Sequence, residues 1–281
     1  MSREILGAEK AYRFMREASR IIADAPEGVS GSYLTWRFHE LYRAFGVTED
    51  LYEKEKKDSN NYVLSVLPEA QKRIDASDDP LLTALKYAQI GNFLDFGVLD
   101  KSDVDSHFAK DVAGAPDRPL DEAEYRHFVK DLTAAKQLLI LGDNAGEIAF
   151  DTLLVKQLQK SFPSLSVVYC VRGGKALNDA TREDAAYVGM DRLTTVIDNG
   201  TGIPSTELAY IGEDLKRAFA ASEVVLAKGQ ANFESLLLSG YNIYYNFLCK
   251  CERIGKVLGV PLFTGCFLNE RRIPPLSPFP A

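Results

Sequence analysis

Histidine and cysteine are scarce in this chain: three of the former and four of the latter among 281 residues. Four thiols (Cys170, Cys249, Cys251 and Cys266) are too few to staple a chain of this length with disulfides, and Cys249-Lys250-Cys251 lacks CxxC spacing. Free thiols in a cytoplasmic protein are the expectation. Three scattered histidines argue against a histidine-rich zinc site. Long apolar runs are missing too. No stretch approaches the roughly 18 residues of a membrane span, and the opening Met1-Ser2-Arg3-Glu4-Ile5-Leu6 reads into Gly7-Ala8-Glu9-Lys10 without a secretory apolar segment. A basic excess is absent: 33 Lys and Arg stand against 40 Asp and Glu, for a net charge of −7. That disfavours general nucleic-acid binding, which needs a positive field. It leaves room for a small anionic substrate, because one metal ion and one lysine reverse the sign of a site.

What remains is an ordinary globular composition, 46% apolar and 26% charged, long enough for one or two domains. The chain changes character near residue 115. Before it, apolar residues recur at helical spacing: Tyr12, Phe14, Met15 with Ile21-Ile22, then Tyr33 to Phe45 ending at Gly46. Thr48-Glu49-Asp50-Leu51 reads as an imperfect capping box opening a helix through Lys56 and Asn60 to Leu67, and another runs from Leu81 to Phe93. Ala113-Gly114-Ala115-Pro116-Asp117 is the best boundary, dividing a helical region, 1–115, from an α/β domain, 116–281. In the second part five apolar runs, 137–141, 166–171, 194–197, 224–227 and 243–248, alternate with helical patterns. This is the βαβ signature of a mostly parallel sheet in a Rossmann-like α/β/α three-layer domain. The segment Pro274-Pro275-Leu276-Ser277-Pro278-Phe279-Pro280 reads as an extended tail.

Ligands of open α/β sheets bind beyond the carboxyl ends of the strands. The residues there are Asp143-Asn144 with Glu147; Arg172-Gly173-Gly174-Lys175 with Asn178-Asp179; Asp198-Asn199-Gly200; and Lys228-Gly229 with Asn232. Oxygen donors dominate, which suits a hard or borderline divalent ion. A strand delivering a carboxylate and a carboxamide just before a helix N-terminus also suits an anionic ligand. Each cluster has a plainer alternative. Asp143-Asn144 and Asn178-Asp179 could cap helices, and Asp198-Asn199-Gly200 could be a turn. It is their number in one topology that points to a site.

Six stretches together resemble the damage-control phosphatases, the metal-dependent family first described as domain of unknown function 89, in its stand-alone prokaryotic branch. They are Asp50-Leu51-Tyr52-Glu53 running to Ser59-Asn60; Asp78-Asp79-Pro80-Leu81; Gly91-Asn92-Phe93-Leu94-Asp95; Gly142-Asp143-Asn144-Ala145-Gly146-Glu147; Leu177-Asn178-Asp179-Ala180; and Lys228-Gly229-Gln230-Ala231-Asn232-Phe233, in family order over roughly residues 45–260. The resemblance implies hydrolysis of phosphomonoesters of small metabolites, such as sugar phosphates or damaged cofactor phosphates, with manganese, cobalt, nickel or magnesium. It implies metal ligation by Asp143, Asn144 and Asp179, and phosphate binding by Lys228. Asn92, Asp95, Glu147, Gly229 and Asn232 are expected near the substrate, and Asp143, Asp179 and Lys228 to carry the chemistry. Two carboxylates would offset the ion, so Lys228 and the helix N-terminus would leave the pocket positive. Two departures stand out: no cysteine precedes Cys170, and Ile203-Pro204-Ser205-Thr206 replaces a Pro-Gly-Thr.

Rival readings come from other classes. Leu141-Gly142-Asp143-Asn144-Ala145-Gly146 resembles a nucleotide loop, which would suit an S-adenosylmethionine-dependent carboxyl methyltransferase, but it lacks the full dinucleotide fingerprint. An aspartyl-phosphate mechanism at Asp143 lacks the second aspartate two positions on, where Ala145 stands. A non-catalytic metabolite-binding module is the third. Oligomeric state is not legible.

Overall fold

In the computed structural model, residues 2–91 and 112–273 are described. The expected site residues Asn92 and Asp95, and the proline-rich segment from 274, lie outside them. The chain opens with α1 (Ser2–Leu6), α2 (Ala8–Ala23) and α3 (Gly31–Ala44). Ser30 caps α3, accepting the Tyr33 N–H at 3.0 Å. Here Phe14, Ala18 and Tyr42 form a small core of their own. The helical stripe read from the sequence is only partly inward, since Tyr12, Met15 and Ile22 stay exposed.

α4 (Glu53–Asp75) departs from expectation at both ends. It begins beyond Thr48, because the Asp50 carboxylate accepts the Tyr52 N–H at 3.0 Å and holds a turn there. It then runs past Pro68, since Ala70 and Ile74 are fully buried and their packing outweighs the backbone bond a proline removes. α5 (Pro80–Ile90) starts with Asp79 capping the Leu82 N–H and Pro80 in the first turn.

α6 (Glu122–Ala134) leads into the sheet: β1 (Gln137–Leu141), α7 (Glu147–Ser161), β2 (Ser166–Val171), α8 (Arg182–Val188), β3 (Thr195–Asp198), α9 (Glu213–Ala221), β4 (Val224–Lys228), α10 (Gln230–Leu236), β5 (Ile243–Leu248), α11 (Glu252–Leu258) and β6 (Gly265–Asn269). The strand order is β3-β2-β1-β4-β5-β6. The first five strands are parallel, and β6 runs antiparallel to β5. β6 was not legible in the sequence: its apolar core is only Cys266-Phe267-Leu268, and it returns along β5 without the helix that marks a parallel crossover.

Alternate residues of the central strands feed two cores. Leu138, Ile140, Tyr169, Val224 and Leu226 pack on one face with α4, α5, α6 and α7. Leu139, Leu141, Cys170, Val225 and Ala227 pack on the other with α9, α10 and α11. α4 and α5 thus share the core of the sheet. α7 lies beneath them, buried on nearly every side from Glu147 to Leu158. Order reverses between β1 and β4, so the ends of these two strands frame the crevice where ligands of such sheets bind.

Candidate active site

Beyond β1 the backbone turns through Gly142, where a Cβ would come within 2.6 Å of the Tyr169 hydroxyl. Asp143 and Asn144 follow. Neither caps α7; Gly146, at φ +80°, takes the N-cap position. Nor does Asp179 cap α8, which opens with a Thr181–Asp184 capping box. Helix capping therefore does not account for either pair. Only Asp198-Asn199-Gly200 behaves as a plain turn, with the Gly200 N–H on Asp198 Oδ1 at 3.0 Å.

The loop after β2 lies along the loop after β1. Asn144 and Asp179 form an isolated antiparallel bridge. The Ala145 N–H donates to Asn178 O at 2.9 Å, and the Ala180 N–H donates to Asp143 O at 2.8 Å. Backbone bonds thus hold Asp143, Asn144 and Asp179 side by side. Arg172 lies under the two carboxylates: Nε donates to Asp179 Oδ2 at 2.6 Å, and Nη2 is 3.6 Å from Asp143 Oδ1. Burial alone would push the guanidinium down, but Asp179 and Asp143 outweigh it and hold it charged. The Asp143 carboxyl is pushed well above the usual carboxylate range, chiefly by burial, then by the charges of Asp179 and Glu147; Arg172 and Lys250 oppose this.

Gly229 and Asn232 serve this geometry. At φ +79° and ψ 152°, Gly229 adopts a backbone conformation that is nearly glycine-only. A Cβ there would stand 2.0 Å from Asp143 Oδ2. Fully buried Asn232 donates to Gly142 O at 3.3 Å and Lys228 O at 2.7 Å, tying the ends of β1 and β4 together. Its Oδ1 accepts from Arg172 Nη2 at 3.4 Å and from Thr206 Oγ1 at 2.9 Å.

Lys228 is placed differently from its expected position at the phosphate. Side chains alternate along β4, so Lys228 shares the face of Val224 and Leu226, under α7. It is fully buried. Its ammonium donates to Glu147 Oε1 at 2.5 Å, Asp151 Oδ1 at 2.8 Å and Ala88 O at 3.0 Å. Burial works against the charged form, yet Asp151 and Glu147 raise its pKa above the ordinary lysine value. Burial pushes Asp151 up to about 6 despite Lys228. Tyr169 donates to Asp151 Oδ2 at 2.6 Å. Glu147, fully buried as well, accepts from Asn144 Nδ2 at 3.3 Å. Glu147 and Asp151, four residues apart and interleaved with Ile148, Ala149 and Phe150 at the start of α7, are the signal in the sequence that a buried cation must face them.

The helical region supports the site from the other side. Asn60 of α4 accepts the Gly146 N–H at 2.7 Å and donates to Asp184 Oδ1 at 2.9 Å. Lys56 pairs with Asp184 Oδ2 at 2.7 Å, and both side chains are buried. Asp143, Asn144 and Asp179 open on a cavity of about 360 Å³, whose walls include Gly31, Ser32 and Thr35 of α3, Pro204, Gln230, Glu234 and Lys250.

The donor set fits a hard divalent ion. Two carboxylates and a carboxamide lie side by side on the backbone bridge, a set of oxygen donors such an ion accepts. Among the described residues no three His, Cys, Asp or Glu side chains gather as a metal site, so an ion here would need the Asn144 carboxamide beside the two carboxylates. No helix among the described residues is long and apolar enough to cross a membrane.

Comparisons with known proteins bear on the family and the fold. The model of the damage-control phosphatase ARMT1-like domain matches residues 4–264. A damage-control phosphatase of Archaeoglobus fulgidus is 32% identical over 232 residues, covering 82% of this chain and 79% of that one. A damage-control phosphatase of Pyrococcus horikoshii is 27% identical over 259 residues, covering 89% and 85%. The crystal structure of a DUF89 family protein from P. horikoshii superposes with a TM-score of 0.76 at 26% identity, covering 96% of this chain and 93% of that one.

Proposed function

Because this chain belongs to the damage-control phosphatase ARMT1-like domain family, we propose that it hydrolyses phosphomonoesters of small metabolites with a divalent metal ion. The observation that carries this reading is the backbone bridge setting Asp143, Asn144 and Asp179 together at the switch point of the sheet. These three residues would hold the ion, with manganese, cobalt, nickel or magnesium all compatible with the donors. When bound, it would polarise a phosphoryl oxygen and acidify a water molecule.

The protein's own groups do the positioning. Arg172 fixes Asp179 through its Nε bond and lies 3.6 Å from Asp143, so the two carboxylates hold their orientation before anything binds. Glu147 orients Asn144 from below while it is itself anchored on Lys228. Gly229 lets the Asp143 carboxylate approach the β4 turn, and Asn232 locks the two strand ends. α3 and α10 supply the cavity walls that meet the rest of the substrate. Such preorganised charge is what phosphoryl transfer asks of a protein.

The test is phosphate release from p-nitrophenyl phosphate by chelated protein resupplied with each metal in turn. Hydrolysis is expected only with metal, and Asp143→Asn and Asp179→Asn should each abolish it. Turnover that survives in either variant at saturating metal refutes the ligand assignment, and methyl transfer from S-adenosylmethionine without hydrolysis would favour the transferase reading.

A further inference from the structure

Glu147, Asp151, Tyr169 and Lys228 are each fully buried, and none of them lines the 360 Å³ cavity. Taking charges out of water is costly, and apolar side chains of similar volume commonly serve stability as well. Stability alone therefore does not account for this network. Its bonds lead upward to both members of the Asp143-Asn144 pair.

One arm runs through β2. Asp151 Oδ2 accepts the Tyr169 hydroxyl at 2.6 Å, which holds the phenol ring against the backbone of Gly142. A Cβ on Gly142 would lie 2.6 Å from that hydroxyl and 2.8 Å from the ring carbon Cε1. Gly142 turns the chain out of β1 into Asp143, and its N–H donates to the carbonyl of Cys170, the residue after Tyr169, at 2.9 Å. Tyr169 thus sets the direction in which β1 delivers Asp143. The other arm runs through β4. Asp151 Oδ1 accepts from Lys228 at 2.8 Å, Lys228 donates to Glu147 Oε1 at 2.5 Å, and Glu147 Oε2 accepts from Asn144 Nδ2 at 3.3 Å. Asn144 Nδ2 also donates to Asp143 Oδ2 at 2.8 Å. With both N–H groups of its carboxamide engaged, the Asn144 oxygen is the atom left for an ion. Glu147 has no room to shift: a Cβ on Gly91, which follows α5, would come within 2.8 Å of the Glu147 Cα.

Resting on the divalent-metal reading above, we propose that Asp151 is a positioning residue for the metal site, its two carboxylate oxygens holding the two arms that aim Asp143 and Asn144. The readout is the manganese Kd of chelated protein by calorimetry, beside the melting temperature. A carboxylate accepts on both oxygens, whereas a carboxamide accepts on one and donates from the other side. Asp151→Asn therefore keeps the volume and disturbs one arm. It should weaken manganese binding by about 10- to 100-fold, the usual scale for losing a partner that orients a metal ligand. Tyr169→Phe removes one hydroxyl and should weaken it by about 3- to 10-fold, the scale of one lost hydrogen bond; this variant decides the matter if Asp151→Asn does not fold. Because the two substitutions break the same contact, the double variant should lose less than the product of the single losses. Leu132→Ala, buried in α6 and absent from the cavity wall, should lower the melting temperature and leave the manganese Kd unchanged. A native Kd in either single variant, a fully multiplicative double variant, or an equal loss in Leu132→Ala overturns the proposal, as does a native protein that binds no manganese. If the native protein binds manganese yet releases no phosphate from any ester, the phosphatase reading falls, and the variants' Kd values still decide on Asp151.

Discussion

Replacing Lys228 with Met tests the buried network most directly. The substitution keeps a long apolar stem but leaves Glu147 and Asp151, both fully buried, without the cation that faces them at 2.5 and 2.8 Å. Removing one partner of a buried ion pair costs about 3–5 kcal/mol. In a chain of 281 residues that lowers the melting temperature by about 5–8 °C. The deficit should depend on pH with a definite sign. Asp151 stands at about 6 even with the lysine present, and without it the folded-state value rises further. The folded variant then binds a proton that the unfolded chain releases at ordinary carboxylate pH. Stability is retained at low pH and lost as pH rises through the folded value. Scanning calorimetry of chelated protein should therefore find the variant closer to the native protein at pH 5.5 than at pH 8. Adding Glu147→Gln and Asp151→Asn removes the stranded charges and should recover part of the loss. An unchanged melting temperature at pH 8 would show that the ammonium is not held as described.

Gly229→Ala should destabilise the fold by about 1–3 kcal/mol through its backbone conformation, and should also weaken manganese binding, because the new Cβ meets the Asp143 carboxylate. Gly240→Ala, at φ +85° with nothing within 4 Å, is the control that carries strain without the contact; equal manganese affinity in the two variants would contradict the reading. Among the thiols, Cys251 is half-buried, whereas burial pushes Cys170 and Cys266 up to about 12. Iodoacetamide at pH 8 should label Cys251 first by peptide mapping, and equal labelling of Cys170 would refute the packing of β2.

The parallel strands were legible because both their faces are covered, which turns each into a continuous apolar run; β1, β2 and β5 lie at the positions their composition indicates. The polar residues at their ends were legible for the same reason: a run that stops at Asp143-Asn144 places both at the rim where ligands bind. α4 was less legible. Its start depends on one side-chain turn at Asp50, and its length on burial of Ala70 and Ile74 beneath another part of the chain. β6 carries too short a run to stand out from a loop.

The sequence by itself determined the alternation of strands and helices and the carboxylates at the strand ends, since both follow from local periodicity and from where each apolar run stops. Which cation faces which anion was decided only by the tertiary structure. Lys228 meets Glu147, Asp151 and Ala88 because β4 passes under α7 and α5, elements far apart in the chain, and no local pattern records that crossing. The same packing leaves Lys250, one strand further along, on the cavity wall.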